Sequence, residues 1–176
     1  MGKLIFILGG ARSGKSLYAA KLAMGKVIKK VAFIATCQPL DKEMKERIRR
    51  HKEARPENWK TLEEDRDVAS LLAKMDNSFD CIVVDCLTLL VSNLLLRGRN
   101  EDEILKKIGS MLANLRKKKA KAILVSNEVG LGIVPVSKLG RDFRDIAGKV
   151  NQLTAKEADE VFFMISGIPT RIKRRK

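Results

Sequence analysis

The feature that most constrains the fold is a glycine-rich segment near the N-terminus that directly follows a short apolar run. Residues 4–8 are all apolar, and residues 9–16 have the pattern G-x-x-x-x-G-K-S. A strand, a glycine turn and a helix start, in this order, form a phosphate-binding loop, or P-loop. The segment therefore predicts a nucleoside triphosphate ligand and a largely parallel α/β sheet.

The residue types of this loop each suit phosphate binding. Gly9 and Gly14 can adopt backbone conformations closed to other residues, so that consecutive N–H groups face one concavity. The helix after the loop directs the positive end of its dipole at the anion. Lys15 places a positive charge at the β- and γ-phosphates, and the Ser16 hydroxyl is a ligand for Mg²⁺. A chance glycine turn is the alternative, and the flanking strand and helix argue against it.

Short apolar runs alternate with helical patterns along the rest of the chain. Further strands are predicted at residues 31–35, 81–85, 122–126 and 161–165, and helices at 15–24, 40–54, 68–75, 87–96, 101–117 and 138–158. Continuously apolar runs are typical of parallel strands that are buried on both faces. We therefore expect one α/β domain over residues 1–176, with a mostly parallel central sheet flanked by helices.

Composition narrows the class of protein. The chain has 176 residues, 45% of them hydrophobic, which is enough to build a core. Neither a signal peptide nor an apolar run long enough to span a membrane is recognisable. The three cysteines, Cys37, Cys81 and Cys86, lack the spacing of a disulfide framework or a zinc site. We expect a cytoplasmic protein from these features.

A net charge of +15 favours anionic partners. Basic residues cluster at residues 116–119 and in a tail at 171–176. A nucleic-acid-binding module is one interpretation, but one Trp and one Tyr supply few platforms for base stacking. Solvated helix ends and a solubilising tail are the preferred interpretation of the two clusters, so no nucleic-acid partner is expected.

Asp85 ends the third predicted strand. A carboxylate at the end of a buried strand is costly unless it has a charged partner. In a P-loop protein this partner is Mg²⁺, which makes Asp85 a candidate Walker-B carboxylate. A cap for the helix that starts at Leu87 is the alternative.

His51 is the only histidine of the chain. Its spacing from Met44 and Ile48 places the three residues on one helix face. Spacing alone favours a packing or solvated role. The surrounding cations, among them Arg50 and Lys52, disfavour the imidazolium form and would keep the ring neutral and nucleophilic.

A larger set of segments, in order along nearly the whole chain, resembles one family, the bifunctional adenosylcobinamide kinase/adenosylcobinamide-phosphate guanylyltransferases of cobalamin biosynthesis. The segments are GGARSGKS (9–16), IAT (34–36), ERIRRHK (46–52), VVDCLT (83–88), SNLL (92–95), SNEVG (126–130), GIVP (132–135), FRD (143–145) and VNQ (150–152), with Arg55, Pro56, Trp59 and Gly148. A P-loop alone is widespread, whereas this ordered set is specific. Leu90 departs from the family, where tryptophan is frequent.

The resemblance implies a three-layer, RecA-like P-loop fold and two reactions. In the first, a nucleoside triphosphate phosphorylates the hydroxyl of the aminopropanol arm of cobinamide. In the second, GMP passes from GTP to cobinamide phosphate through a guanylyl-histidine, which falls on His51. The resemblance also implies Mg²⁺, GTP and ATP as ligands, a corrinoid substrate and a homotrimer. A small-molecule kinase with a single activity, in which His51 is structural, is the alternative.

The site residues that the resemblance implies fall into three groups. The catalytic residues are His51 and Lys15, and the metal ligands are Ser16 and Asp85. The nucleotide-binding residues are Gly9, Gly10, Ala11, Arg12, Ser13, Gly14, Lys15, Ser16, Ala35, Thr36, Cys37, Lys52, Glu53, Ala54, Arg55, Glu63 and Asp85.

Three further residues have two interpretations each. Glu128 follows a predicted strand and could orient Mg²⁺ or the acceptor hydroxyl, or belong to a structural turn. Arg141 and Arg144 lie one helical turn apart. They could hold phosphate, or pair with Asp142 and Asp145.

Overall fold

The computed structural model describes residues 2–25, 27–38, 42–53 and 55–174; in the helix at 42–53 it does not describe the side chains of Glu43, Met44, Arg47 and His51. The elements in chain order are β1 Leu4–Gly9, α1 Lys15–Ala23, β2 Val31–Ala35, α2 Lys42–Glu53, β3 Lys60–Glu63, α3 Val68–Lys74, β4 Cys81–Asp85, α4 Leu87–Leu96, α5 Glu101–Lys117, β5 Lys121–Asn127, α6 Lys138–Glu157, β6 Glu160–Ile165 and β7 Ile168–Arg174.

The strands of the described residues form one sheet in the order β3-β2-β4-β5-β1-β6-β7. All neighbouring pairs from β3 to β6 are parallel, and β7 alone runs antiparallel, against β6. The carboxyl ends of β1, β2, β4 and β5 therefore meet at one edge of the sheet. Ligands of open parallel sheets bind outside this edge, which is where the P-loop lies.

Two apolar clusters lie on opposite faces of the sheet. Leu4, Phe6 and Leu8 of β1 pack with α3, α4, α5 and α6, whereas Ile5 and Ile7 pack with α1. This alternation follows from the two-residue period of a strand. The prediction of a mostly parallel sheet between two layers of helices is confirmed.

Both strands that the sequence failed to predict lie at the edges of the sheet. β3 has four residues of sequence KTLE, and β7 has the largely exposed sequence IPTRIKR, so neither contains an apolar run. The turn before β7 consists of Ser166 and Gly167, with φ of 49° and 85°. Two consecutive residues with positive φ match the right-handed twist of a tight hairpin.

The basic clusters are more ordered than the sequence indicated. Residues 171–174 belong to β7, and Lys173 Nζ donates hydrogen bonds of 2.8 Å to the carbonyl oxygens of Ala155 and Lys156. Arg116 Nη1 lies 2.7 Å from Asp159 Oδ2 in a largely buried ion pair. Arg116 and Lys173 therefore have structural partners, whereas Arg171 and Arg174 are exposed, and residues 175 and 176 lie outside the described part.

Helix boundaries differ little from the predictions. α4 and α5 match, and α1, α3 and α6 each end one residue earlier than expected. Of the predicted helix 40–54, residues 40, 41 and 54 lie outside the described residues. No helix in the described part of the chain combines the length and apolar character needed to cross a membrane.

Candidate active site

The P-loop connects β1 to α1 and is supported from behind by the β6–β7 turn. Gly14 has a φ of 90°, in the left-handed region that favours glycine, and forms the N-cap of α1. A Cβ atom added to Gly14 would lie 3.3 Å from the Cα atom of Gly167. The Gly167 N–H also donates a 3.0 Å hydrogen bond to the Ser13 carbonyl oxygen. Backbone contacts therefore fix the shape of the loop.

Lys15 lies within this loop and is only 7% exposed. Its ammonium group donates hydrogen bonds to the carbonyl oxygen of Gly10 and to Ser13 Oγ. The positive charge is thus held over the loop by the loop's own oxygen atoms, at the place where the motif predicts phosphate.

A cleft of about 500 Å³ opens in front of the loop, beyond the carboxyl ends of β2, β4 and β5. Eight of the predicted site residues line it: Lys15, Ser16, Ala35, Cys37, Lys52, Arg55, Glu63 and Asp85. The loop, three strand ends and the segment around α2 therefore converge on one volume, as the nucleotide-site prediction requires.

Positive charges of α2 form one wall of this cleft. Lys45, Arg49 and Lys52 line it together with Ile48. Arg49 and Arg50 donate hydrogen bonds to Glu46, and these hold the pKa of that carboxyl at about 2, well below its ordinary value. Lys52 Nζ lies 2.5 Å from Glu63 Oε1. The cations are thus arranged by exposed carboxylates of the same helix and of β3.

Asp85 is not the cap of α4. The N-cap of α4 is Cys86, with no side-chain capping hydrogen bond, which argues against the capping alternative for Asp85. Asp85 and Ser16 line the same cleft from β4 and α1. Hydroxyl and carboxylate oxygens are the donors that Mg²⁺ prefers, and this ion usually takes few protein ligands and completes its shell with phosphates and water. The donor set therefore fits Mg²⁺.

No cluster of three or more His, Cys, Asp or Glu side chains that could hold a metal ion occurs among the described residues. Cys86 lines the cleft, but burial raises the pKa of its thiol to about 12. It is therefore protonated at neutral pH and is not a nucleophile.

Residues 5–172 match a family model described as cobinamide kinase / cobinamide phosphate guanyltransferase. The chain belongs to this family. The bifunctional adenosylcobalamin biosynthesis protein CobU of Salmonella typhimurium is 44% identical over 182 residues, which cover 97% of this chain and 99% of the relative. The bifunctional adenosylcobalamin biosynthesis protein CobP of Pseudomonas aeruginosa is 42% identical over 172 residues, which cover 95% of each chain.

Two solved structures share the fold at low sequence identity. The flagellar accessory protein FlaH of Methanocaldococcus jannaschii has a TM-score of 0.54 at 15% identity, over 99% of this chain and 79% of that one. The RadB recombinase has a TM-score of 0.55 at 17% identity, over 92% of this chain and 74% of that one. These likenesses support the RecA-like P-loop architecture and nothing about substrates.

Two described residues that the family resemblance implied, Thr36 and Glu53, are not among those that line the cleft. The Thr36 hydroxyl is buried, donates to the Cys86 carbonyl oxygen at 2.7 Å and accepts from the Cys86 N–H at 2.8 Å, which joins the ends of β2 and β4. Glu53 is exposed and pairs with Arg49. Ala54 lies outside the described residues. His51 belongs to α2 by its backbone, and its side chain lies outside the described part.

The cleft also includes residues that the sequence analysis did not select. They are Lys45, Ile48, Arg49, Cys86, Leu89, Val125 and Asn127. The spacing of Lys45, Arg49 and Lys52 is that of one helix face, so extending the periodicity argument from His51 to its charged neighbours would have found this wall.

Glu128, Arg141 and Arg144, each with two interpretations from the sequence, make structural contacts in the described part of the chain. Glu128 Oε1 accepts the Gly130 N–H at 2.9 Å, which stabilises a turn. Arg144 pairs with Asp145. Arg141 instead donates to the carbonyl oxygens of residues 135 and 136, while Lys138 is the partner of Asp142.

Proposed function

We propose that this chain phosphorylates adenosylcobinamide with a nucleoside triphosphate and transfers GMP from GTP to adenosylcobinamide phosphate through a guanylyl-histidine at His51. The observation that carries the proposal is the single cleft that joins Lys15 and Ser16, at the P-loop, to the cationic wall of α2. Because α2 also contains His51, a triphosphate anchored at the loop would extend toward the helix that contains the nucleophile.

In the guanylyl-transfer step, the neutral imidazole of His51 attacks the α-phosphorus atom of GTP. A P–N bond forms, the bond from the α-phosphorus to the bridging oxygen breaks, and pyrophosphate leaves with the bonding electrons. Lys15 would hold the departing pyrophosphate, and Lys52 and Arg55 would stabilise negative charge around the α-phosphorus. A phosphate oxygen of adenosylcobinamide phosphate then attacks the same phosphorus and releases the histidine.

In the kinase step, the P-loop would hold the β- and γ-phosphates while the substrate hydroxyl attacks the γ-phosphorus. The new P–O bond forms as the bond from the γ-phosphorus to the bridging oxygen breaks, the nucleoside diphosphate leaves with the bonding electrons, and the hydroxyl proton passes to solvent. Catalysis here is positioning and charge stabilisation, for which the buried Lys15 ammonium is suited. Ser16 and Asp85 would hold Mg²⁺, which neutralises charge on the phosphate oxygens when bound.

The proposed active form is a homotrimer. A run of exposed apolar side chains, Leu131, Ile133, Val134 and Val136, follows β5, and Val136 is 97% exposed. Exposed apolar surface of this kind is typical of interfaces. Sedimentation equilibrium tests the assembly directly: a mass of three chains supports it, and a monomer at micromolar concentration contradicts it.

The test of the guanylyl transfer is covalent labelling with GTP that is radioactive at the α-phosphate. The wild-type protein should retain label after denaturation, as an acid-labile and base-stable phosphoramidate. His51→Ala should abolish the label but leave triphosphate binding within about twofold, because the loop contacts are unchanged. The exposed neighbour Arg50, which does not line the cleft, supplies the control Arg50→Ala, which should still be labelled.

Two results would separate the proposal from its alternative. An absence of label on wild-type protein that still phosphorylates cobinamide would favour a kinase with a single activity. Label that persists in His51→Ala would assign the nucleophile to another residue.

A further inference from the structure

Arg55 contacts the face of an aromatic ring at the cleft. Its Cζ atom lies 3.6 Å from the ring centroid of Phe33, a residue of β2 that is 6% exposed. Trp59 stacks on Phe33 with ring centroids 6.2 Å apart and an interplanar angle of 24°. The guanidinium is half-buried and lines the cleft, and burial lowers its pKa.

The guanidinium of Arg55 has no carboxylate within ion-pair distance among the described residues. Its side-chain hydrogen bond is a long one, 3.4 Å to Thr61 Oγ1. Asp85 and Glu63 act on it only through longer-range electrostatics. By contrast, Arg49, Arg97 and Arg116 each contact a carboxylate directly.

This difference matters for binding an anion. A carboxylate that pairs with arginine occupies the N–H groups at the edge of the guanidinium and neutralises its charge. An aromatic face instead holds the plane of the guanidinium and leaves those edge N–H groups available. The contact with Phe33 therefore fixes the Arg55 guanidinium in the cleft and leaves its N–H groups available to donate hydrogen bonds to phosphate.

The same contact also attaches the end of α2 to the sheet. Arg55 follows the last residue of α2, Glu53, by two positions, and the described ion pairs of that helix are exposed. Exposed ion pairs hold a helix weakly. We propose that Phe33 is a positioning residue of this site, whose ring face orients the Arg55 guanidinium toward the phosphates of GTP. This inference rests on the proposed function for its substrate.

The variant Phe33→Leu removes the aromatic face but retains an apolar side chain of similar size. The matched control is Phe79→Leu, which removes a half-buried ring just before β4. Phe79 lies at the amino ends of the parallel strands, whereas the cleft lies at their carboxyl ends. We expect Phe33→Leu to slow single-turnover labelling by GTP and to weaken GTP binding. The ratio of the labelling rate to the Kd for GTP should fall by about tenfold in this variant and should not change in the control. Phe33→Tyr, which keeps a ring face, should restore most of the loss.

A double-mutant cycle tests whether Phe33 acts through Arg55. In an Arg55→Ala background the further change Phe33→Leu should alter labelling and GTP affinity by less than about twofold, because the contact has already been lost. A full tenfold loss in that background would overturn the proposal, as would an unchanged Phe33→Leu single variant. Thermal unfolding of all variants separates these effects from a loss of folding.

Failure of the proposed function gives a different result. If the wild-type protein is not labelled by GTP, the guanylyl transfer fails, and GTP affinity measured by calorimetry still tests Phe33. A GTP affinity that is lower in Phe33→Leu than in the wild type, with no such difference in the Arg55→Ala background, supports the positioning role, and equal affinities overturn it.

Discussion

The P-loop and α2 face the same cleft, but they are held in place by different forces. The loop is fixed by backbone contacts, including the close approach of Gly14 to Gly167 and the hydrogen bond from Gly167 to Ser13. α2 is joined to the sheet by side chains: the exposed ion pair Lys52–Glu63 links it to β3, whereas pairs such as Arg49–Glu53 lie within the helix. The position of the P-loop is therefore set by backbone geometry, whereas the position of α2 depends on charged side chains.

The difference suggests a division of labour between the two walls. A preformed loop can hold the β- and γ-phosphates without rearrangement, because its N–H groups are oriented before the ligand arrives. Exposed ion pairs are worth little individually and are screened by salt. The contribution of α2 should therefore vary with pH and ionic strength, while that of the loop should respond mainly to backbone geometry.

The largest expected effect comes from the variant Gly14→Ala. The positive φ of Gly14 is unfavourable for alanine, and the added Cβ would lie 3.3 Å from the Cα atom of Gly167. Either the loop or the turn must therefore shift. A displacement near a reacting group can cost about 100-fold. We expect a loss of about this size in the single-turnover rate of labelling by GTP, together with weaker GTP binding in isothermal calorimetry.

Gly98→Ala is the matched control for this variant. Gly98 also has a positive φ, of 76°, but its added Cβ would have no heavy atom within 4 Å. Both variants should lose about 1–2 kcal/mol of unfolding free energy through left-handed strain, and only Gly14→Ala should lose nucleotide affinity. Equal losses of affinity would show that Gly14 acts through general stability.

Thiol reactivity can show how much of the cleft a nucleotide covers. Burial raises the pKa of Cys81 and Cys86 to about 12, whereas Cys37 is half-buried and lines the cleft. Iodoacetamide at pH 8 should modify Cys37 first, and saturating GTP should slow that reaction by about tenfold or more. Mass spectrometry of tryptic peptides identifies the site. Equal rates with and without GTP would place the nucleotide away from the end of β2.

A smaller effect is expected from acid on α2. The pKa of Glu46 is about 2 in the folded chain, below its ordinary value of 4.5, because Arg49 and Arg50 donate hydrogen bonds to it. A depressed pKa stabilises the folded state above the unfolded value, so this contribution is complete above pH 4.5 and is lost as the pH falls toward 2. The protection factors of the α2 amides, which correct for the slower intrinsic exchange in acid, should fall over that range, and less so in Glu46→Gln. An identical pH profile in the variant would contradict the assignment.

The two walls also differ in how well the sequence predicts them. The P-loop is local, since strand, glycines and helix start are contiguous, and the buried strands of the sheet are visible as continuous apolar runs. β3 and β7 lack such runs because they lie at edges, where one side of the backbone ladder is unpaired and exposed side chains need not be apolar. The sequence consequently also missed the turn that supports the P-loop.

The contact between Phe33 and Arg55 could not be predicted in the same way. Phe33 looks like any core residue of a buried strand, and Arg55 like one more cation in a basic segment. Their pairing depends on β2 lying beside the segment that follows α2, which is a tertiary fact. The cationic wall of α2, by contrast, follows from helical spacing once a helix is predicted.

The smallest expected effect comes from the variant Gly109→Ala, at a glycine that neither the backbone conformation nor a close contact requires. Gly109 lies inside α5, and an added Cβ would have no heavy atom within 4 Å. Gly109→Ala should therefore stabilise the chain by about 0.5–1 kcal/mol, because alanine loses less backbone entropy in a helix. Differential scanning calorimetry should show a rise in Tm of about 2–3 °C, with unchanged GTP affinity. A change in affinity would mean that α5 is coupled to the cleft, and the contrast between a rigid loop and a charge-held helix would then no longer describe the whole site.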